Sequence, residues 1–195
     1  MMEKGNFLGH FLSAEGIRMD PAKIKVILHF PTPNTPTQVR SFIGCAGYYR
    51  RFIENFAKVS HPLFQLLKKD SEFVWSDDCD VAFTRIKELV CNASILRGPN
   101  WALPFHIHMD ASQTEIGTVL GQQEDKVPYA VYYVSKNLAP AELNYTVTEK
   151  EFLVVVYAIN KFRHYITRYS TFVHTDHAAI RYLMNKPVTP GCVTR

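Results

Sequence analysis

The chain has 195 residues, 47% hydrophobic, 21% charged and 13% aromatic, a composition that fits one ordinary domain or two small ones and excludes intrinsic disorder. Its formal charge of +4 suits a polyanionic partner without requiring one. The longest apolar run, Phe152 to Ile159, is far shorter than the roughly 20 residues that span a bilayer.

Met1-Met2-Glu3-Lys4-Gly5 has no apolar stretch behind its lysine, so no secretory signal is expected and the protein is expected inside the cell, in cytoplasm or nucleus. Cys45, Cys79, Cys91 and Cys192 are scattered without a C-x-x-C pair, which argues for reduced thiols rather than a zinc ribbon or a disulfide framework.

Phe7 to Leu12, followed by a turn at Ser13-Ala14-Glu15-Gly16, predicts a hairpin. Asp20-Pro21 then opens a short helix, with the aspartate as N-cap and proline in the first turn, and this helix must end before Pro31-Thr32-Pro33. Thr35-Pro36-Thr37-Gln38 has the pattern of a capping box. It leads a second helix with Val39, Phe42, Ile43, Ala46, Tyr49 and Ile53 at helical spacing and Arg40, Arg51 and Glu54 on its other side. Ser76-Asp77-Asp78 opens a third helix whose apolar stripe is Ala82, Phe83, Ile86, Leu89 and Val90. A paired aspartate can mimic a polymerase metal site, but here no strand precedes it and a helix follows, so the pair reads as acidic residues at a helix N-terminus.

Near residue 100 the texture changes. Basic, helix-patterned sequence passes through Arg97-Gly98-Pro99-Asn100 into alternating sequence. Strands are predicted at Phe105 to Asp110, Ile116 to Gln122 and Val127 to Val134, then a helix from about Val147 to Tyr165, a strand from Thr171 to Thr175 and a short helix after Asp176.

Phosphodiester hydrolysis at neutral pH requires an activated water and a counter-charge for the leaving oxygen, and two Mg²⁺ ions about 4 Å apart supply both. Mg²⁺ prefers carboxylate oxygen, so candidate ligands are acids at strand ends or on the buried face of a helix. Asp110 ends the first strand and Asp176 follows the fourth; if those strands are parallel neighbours, joined through the long helix, the two carboxylates converge. On that helix, setting Glu151 at 0° puts Val155 at about 40°, Ala158 at about 340° and Phe162 at about 20°, whereas Glu149 falls at about 160°. Glu151 therefore sits within the apolar stripe. Two capping boxes compete at this N-terminus, Thr148 with Glu151 and Thr146 with Glu149, and capping alone does not explain a carboxylate on the buried face.

His106 and His108 share a strand face with Asp110, and His174 shares one with Asp176, which raises a zinc site as an alternative. Alternating strand histidines are more often half-buried polar side chains. His177, beside Asp176, is a candidate proton carrier.

Several stretches together carry a family resemblance: Phe7-Leu8-Gly9-His10, Ser41-Phe42-Ile43-Gly44, Tyr48-Tyr49-Arg50-Arg51-Phe52-Ile53, Pro62-Leu63, Phe73-Val74-Trp75, Thr148-Glu149-Lys150-Glu151, Phe162-Arg163-His164-Tyr165 and Thr175-Asp176-His177. In this order they resemble the Pol polyprotein of Ty3/gypsy-type long-terminal-repeat retrotransposons over essentially the whole length. The resemblance implies an α+β and α/β architecture, a small helical thumb-like region followed by a truncated RNase H-like mixed sheet with helices. It implies the end of a palm with a primer-gripping hairpin at 1–18, a thumb-like helical region at 19–75, a connecting helix and linker at 76–100, and the RNase H-like domain at 101–195. Arg50, Arg51 and Lys58 would contact phosphates of the bound duplex, while Tyr48, Tyr49 and Phe52 read as core packing.

Residue by residue, the family's metal-binding acids fall on Asp110, Glu151 and Asp176. The implied activity is hydrolysis of the RNA strand of RNA–DNA hybrids with two Mg²⁺ ions, Mn²⁺ substituting. The implied partners are that hybrid or a template-primer duplex and the remaining Pol domains. The sequence departs from the family's pattern in carrying no Tyr-x-Asp-Asp polymerase motif, in ending at Arg195 before the strand and helix that bring a fourth carboxylate, and in Thr118 and Gly121, where the family has a small apolar residue and a serine. These departures imply no polymerase activity, and they set a second expectation beside the nuclease: a non-catalytic nucleic-acid-binding or structural remnant of a degenerate retrotransposon.

Overall fold

The computed structural model describes residues 4–68 and 72–185; Cys192 and the part of the RNase H-like region expected after 185 lie outside them. The chain opens with an antiparallel meander of β1 (Gly5–Phe7), β2 (His10–Ser13) and β3 (Gly16–Met19). The sequence pattern predicted one hairpin here, and the structure has two. The extra turn is Leu8-Gly9, with φ of 46° and 71°, the left-handed geometry of a two-residue hairpin turn. Leu8 is a poor turn former and hid the turn inside an apolar run. The turn is held from outside: the Tyr48 hydroxyl donates to the Leu8 carbonyl at 2.5 Å and the Tyr49 hydroxyl to the Gly9 carbonyl at 2.7 Å.

α1 (Pro21–Leu28) starts as predicted, the Asp20 carboxylate accepting the Ala22 N–H at 2.9 Å. α2 (Pro36–Tyr48) has Thr35 accepting the Gln38 N–H, but the Gln38 side chain reaches back to the Asn34 N–H rather than to the cap residue. The predicted run to Ile53 is interrupted. After Tyr48 the chain tightens into a single 3₁₀ turn over Arg50–Phe52, which lets consecutive Phe52 and Ile53 both bury. Asn55, with φ of 52°, then redirects the backbone into α3 (Phe56–Gln65). This helix was not predicted, because Pro62 lies inside it and removes one backbone hydrogen bond. α4 (Asp77–Cys91) has Asp77, Asp78 and Asp80 in its first turn, which fits the dipole reading of the acidic pair. Its stripe of Ala82, Phe83, Ile86 and Val90 closes the first core against Phe42, Tyr49 and Leu63. Ile17 and Leu96 exchange backbone hydrogen bonds of 2.7 and 3.0 Å, which fastens the first sheet to the segment leaving this core.

The second sheet contains β4 (Phe105–Ala111), β5 (Glu115–Glu124), β6 (Val127–Asn137) and β7 (Thr171–His174) in the order β6-β5-β4-β7. The first three form an antiparallel meander, and β7 pairs parallel to β4 after the crossover through α6 (Val147–Ile166). A short α5 (Pro140–Leu143) precedes α6, and α7 (Ala178–Asn185) follows β7. Val154, Val155, Ala158 and Phe162 form the buried side of α6, and Ala158 and Phe162 pack with Phe105, Ile107 and Leu120. Strand alternation then turns His106, His108 and Asp110 to the other face. The two regions meet through β6: the Ala57 N–H donates to Ser135 Oγ at 2.9 Å, and Tyr133 packs on the first core.

Candidate active site

Parallel pairing of β4 with β7 sets the site. The register places Phe105 opposite Thr171 and His108 opposite His174, so Asp110 lies two residues further along β4 and Asp176 two residues beyond the end of β7. Glu151 arrives from the first turns of α6. Together with His108, His174 and Arg181, the three acids line one cleft of about 660 Å³.

The competition between capping boxes is decided by geometry. Thr146 Oγ1 accepts the Glu149 N–H at 3.3 Å, while the Glu149 carboxylate accepts the Thr146 N–H and hydroxyl, both at 2.8 Å. The Thr146 N–H first, and then the Thr146 hydroxyl, hold the Glu149 carboxylate below its usual range. Glu151 makes no part of the cap. Its carboxyl is pushed above the ordinary value, chiefly by burial and then by the negative charge of Asp176, with His177 opposing and Asp110 adding. Glu151 therefore senses both aspartates electrostatically.

Among the described residues no three His, Cys, Asp or Glu side chains close into a set around one point. The three carboxylates line one cleft without closing into a single donor set. Their chemistry is nonetheless that of a hard divalent cation: oxygen donors from rigid elements, and a raised carboxyl whose discomfort a cation would relieve.

His177 stands beside Glu151. Its Nε2 lies 3.4 Å from Thr148 Oγ1, and its Nδ1 is buried without a protein partner. Arg181 was not singled out from sequence, where a lone arginine in a short helix carries no signal beyond its closeness to Asp176. It lines the cleft and donates to the Asp176 carbonyl at 2.8 Å. Lys150, also unforeseen, buries its stem and donates to the Gln113 carbonyl at 2.9 Å, tying α6 to the turn between β4 and β5.

The three basic residues expected on phosphates have different surroundings. Arg50 is exposed. Arg51 is half-buried, its guanidinium 5.4 Å from the Tyr132 ring centroid and 5.9 Å from that of Phe52. Lys58 lies 3.7 Å from Glu115 but remains 68% exposed. Tyr49 and Phe52 are core residues, whereas Tyr48 is half exposed. The histidines form a cluster of their own: His106 and His174 share a 2.9 Å N···N hydrogen bond, and the His108 and His174 rings stack with centroids 4.3 Å apart. Burial, then the neighbouring imidazoles, lowers the pKa of both His106 and His108.

Known proteins bear on this arrangement. Residues 75–173 match the family described as the RNase H-like domain found in reverse transcriptase. The chain is 34% identical over 186 residues to the retrovirus-related Pol polyprotein from transposon 297 of Drosophila melanogaster, covering 95% of this chain and 17% of that one. It is 36% identical over 194 residues to the polyprotein from transposon 412 of the same organism, covering 100% and 16%. A transposon Tf2-3 polyprotein of Schizosaccharomyces pombe is 32% identical over 82% of this chain. The chain thus spans less than a fifth of the length of these relatives. Among solved structures, the foamy viral protease-reverse transcriptase dRH in complex with dsDNA matches with a TM-score of 0.81 at 18% identity, over 96% of this chain and 33% of that one. The foamy viral protease-reverse transcriptase in complex with an RNA/DNA hybrid matches with a TM-score of 0.79 at 19% identity, over 95% and 25%. These likenesses establish the fold. With the family match across α4 and the second sheet, the chain belongs to the RNase H-like domain family of reverse transcriptases, in the form carried by retroelement Pol polyproteins.

Proposed function

We propose that this chain hydrolyses the RNA strand of an RNA–DNA hybrid at the cleft between Asp110, Glu151 and Asp176. The observation that carries the proposal is that acids from three separate elements, β4, α6 and the segment after β7, line one cleft. RNase H-like domains are generally dependent on divalent metal, and we assign Mg²⁺, with Mn²⁺ as substitute, to Asp110 and Asp176 with Glu151 completing the oxygen donors. Bound there, the ions would supply a nucleophilic water and charge neutralisation at the leaving oxygen.

The residues of the chain do the rest. Glu151, raised by burial and by its acidic neighbours, holds and orients the attacking water, while His177 beside it carries a proton between cleft and solvent. Arg181 at the rim faces a substrate phosphate. Arg50 and Lys58, exposed on the other region, hold the duplex backbone, and the hybrid is recognised by shape and 2′-hydroxyls rather than by sequence.

A second reading, a non-catalytic duplex-binding remnant, is favoured by one observation: no three donors close around a point among the described residues. Cleavage of a labelled RNA–DNA hybrid in Mg²⁺ or Mn²⁺, beside Asp110→Asn and Glu151→Gln, separates the two. Activity lost in both variants supports the nuclease; a folded wild type that binds hybrid without cutting it supports the remnant.

A further inference from the structure

The geometry points to a second metal site beside the carboxylate cleft, in which His106, His108 and His174 bind one borderline divalent cation of the Zn²⁺ class. It shares His108 and His174 with the wall of the carboxylate cleft but takes no carboxylate as a ligand, and it stands whether or not the carboxylates support cleavage.

His106 and His108 alternate along β4 and so project from one face, and β7 places His174 directly opposite His108. Three imidazoles from two hydrogen-bonded strands are thereby fixed by backbone register, with no loop involved. Their rings are already in mutual contact. His106 Nδ1 and His174 Nε2 are 2.9 Å apart, and the His108 ring lies parallel to that of His174, 4.3 Å between centroids and 5° between planes. Zinc–imidazole bonds of about 2.0–2.1 Å put tetrahedral ligand nitrogens about 3.3–3.4 Å apart, so the hydrogen-bonded pair needs to open by only about half an ångström.

His108 is the ligand that must move. In the stack its ring faces His174 instead of aiming a nitrogen at the shared point, which accounts for the lack of a closed donor set among the described residues. Turning it is a side-chain rotation into open space. The cluster faces a concavity of about 440 Å³ walled by Val119, Tyr129 and Tyr133, which leaves room for the ring and for a water as a fourth ligand.

Ligand type separates the two sites. Imidazole nitrogen selects zinc-like ions, whereas carboxylate oxygen selects Mg²⁺. Half-buried strand histidines are the ordinary alternative, and what tells against it is the third imidazole delivered to the same spot from the neighbouring strand. An ion here would pin β7 to β4 at the residue pair just before Asp110 and Asp176.

The test uses the whole chain. Protein loaded with Zn²⁺, dialysed against metal-free buffer and assayed by mass spectrometry is expected to keep about one equivalent, and Co²⁺ in its place is expected to give the visible absorption of a tetrahedral site. His106→Ala and His174→Ala should lose roughly tenfold or more in affinity, while Asp110→Asn and Glu151→Gln retain the ion. No retained zinc, or zinc that survives both histidine variants, overturns the proposal. Should a histidine variant unfold, Cu²⁺ bound to wild type decides by electron spin echo spectroscopy: modulation from at least two imidazoles supports the site, and one or none overturns it.

Discussion

Glu149 and Thr146 bond reciprocally at the start of α6, the carboxylate accepting both the Thr146 N–H and its hydroxyl at 2.8 Å. This pair closes the helix N-terminus and leaves Glu151, two residues on, free of the cap and directed to the cleft. The division of labour has opposite experimental signatures. Thr146→Ala removes the cap and is expected to lower the thermal midpoint by about 2–4 °C with hybrid cleavage per folded molecule unchanged. Glu151→Gln is expected to reduce cleavage on the order of 10²–10⁴-fold without lowering the midpoint. Cleavage that fails in Glu149→Gln and survives in Glu151→Gln would reverse the assignment.

The raised Glu151 carboxyl also links stability to pH. Folding raises its pKa through burial and the charges of Asp176 and Asp110, so the native state holds the proton more tightly than the unfolded chain. That contribution is fully present below the unfolded carboxylate range and is lost as pH rises through the folded value. At neutral pH without metal, the ionised side chain is therefore a liability. Glu151→Gln is expected to melt about 1–3 °C above wild type at pH 7, the gap closing toward about pH 4. Millimolar Mg²⁺ should raise the wild-type midpoint more than that of the variant. Thermal melts across this pH range with and without metal check the sign; a variant less stable than wild type at pH 7 refutes it.

The placement of the candidate acids was legible where one periodicity governs position. At 100° per residue, α6 has little freedom in where it points Glu151, and the crossover through a long helix leads to parallel strands, so Asp176 leaves β7 beside the end of β4 that carries Asp110. Legibility failed where tertiary contacts override local preference. Leu8 takes a left-handed turn because the hydroxyls of Tyr48, the last residue of α2, and of the Tyr49 that follows hold its neighbourhood, and α3 tolerates Pro62 because Phe56, Ala57, Ser60 and Leu63 bury on one side. The destinations of Arg51 and Arg181 depended on which element each side chain would meet, information carried by the fold and absent from local spacing.

The junction between the two regions is tight at Gly117. A Cβ built there would stand 2.7 Å from Asn55 Oδ1, and Asn55 is itself held at φ 52° between the 3₁₀ turn and α3. Gly117→Ala is expected to destabilise by about 0.5–1.5 kcal/mol, the strain of turning the end of the Asn55 side chain aside. Asn55→Gly keeps the left-handed backbone accessible while deleting the clashing amide, so the double variant should recover much of the loss. Urea denaturation of the two singles and the double measures the coupling; strictly additive losses would show that the two residues do not meet.

Arg181 and Arg51 provide a final contrast, two arginines whose surroundings predict different losses. Arg181 stands at the cleft rim, bonded to the Asp176 carbonyl. Arg51 rests on the Tyr132 ring between the two regions. If Arg181 neutralises one phosphate, Arg181→Ala makes log Kobs against log salt shallower by about 0.7–0.9, and Arg181→Lys restores most of the slope because charge suffices for that effect. Arg51→Ala instead leaves the slope unchanged and costs about 0.5–2 kcal/mol of stability, the worth of a partly desolvated cation–π contact. Fluorescence anisotropy of a labelled hybrid through a salt titration, paired with urea denaturation of each variant, reads both quantities. An unchanged slope in Arg181→Ala would remove this residue from the duplex interface, and a changed slope in Arg51→Ala would mean that its guanidinium leaves Tyr132 for the phosphate backbone when the hybrid binds.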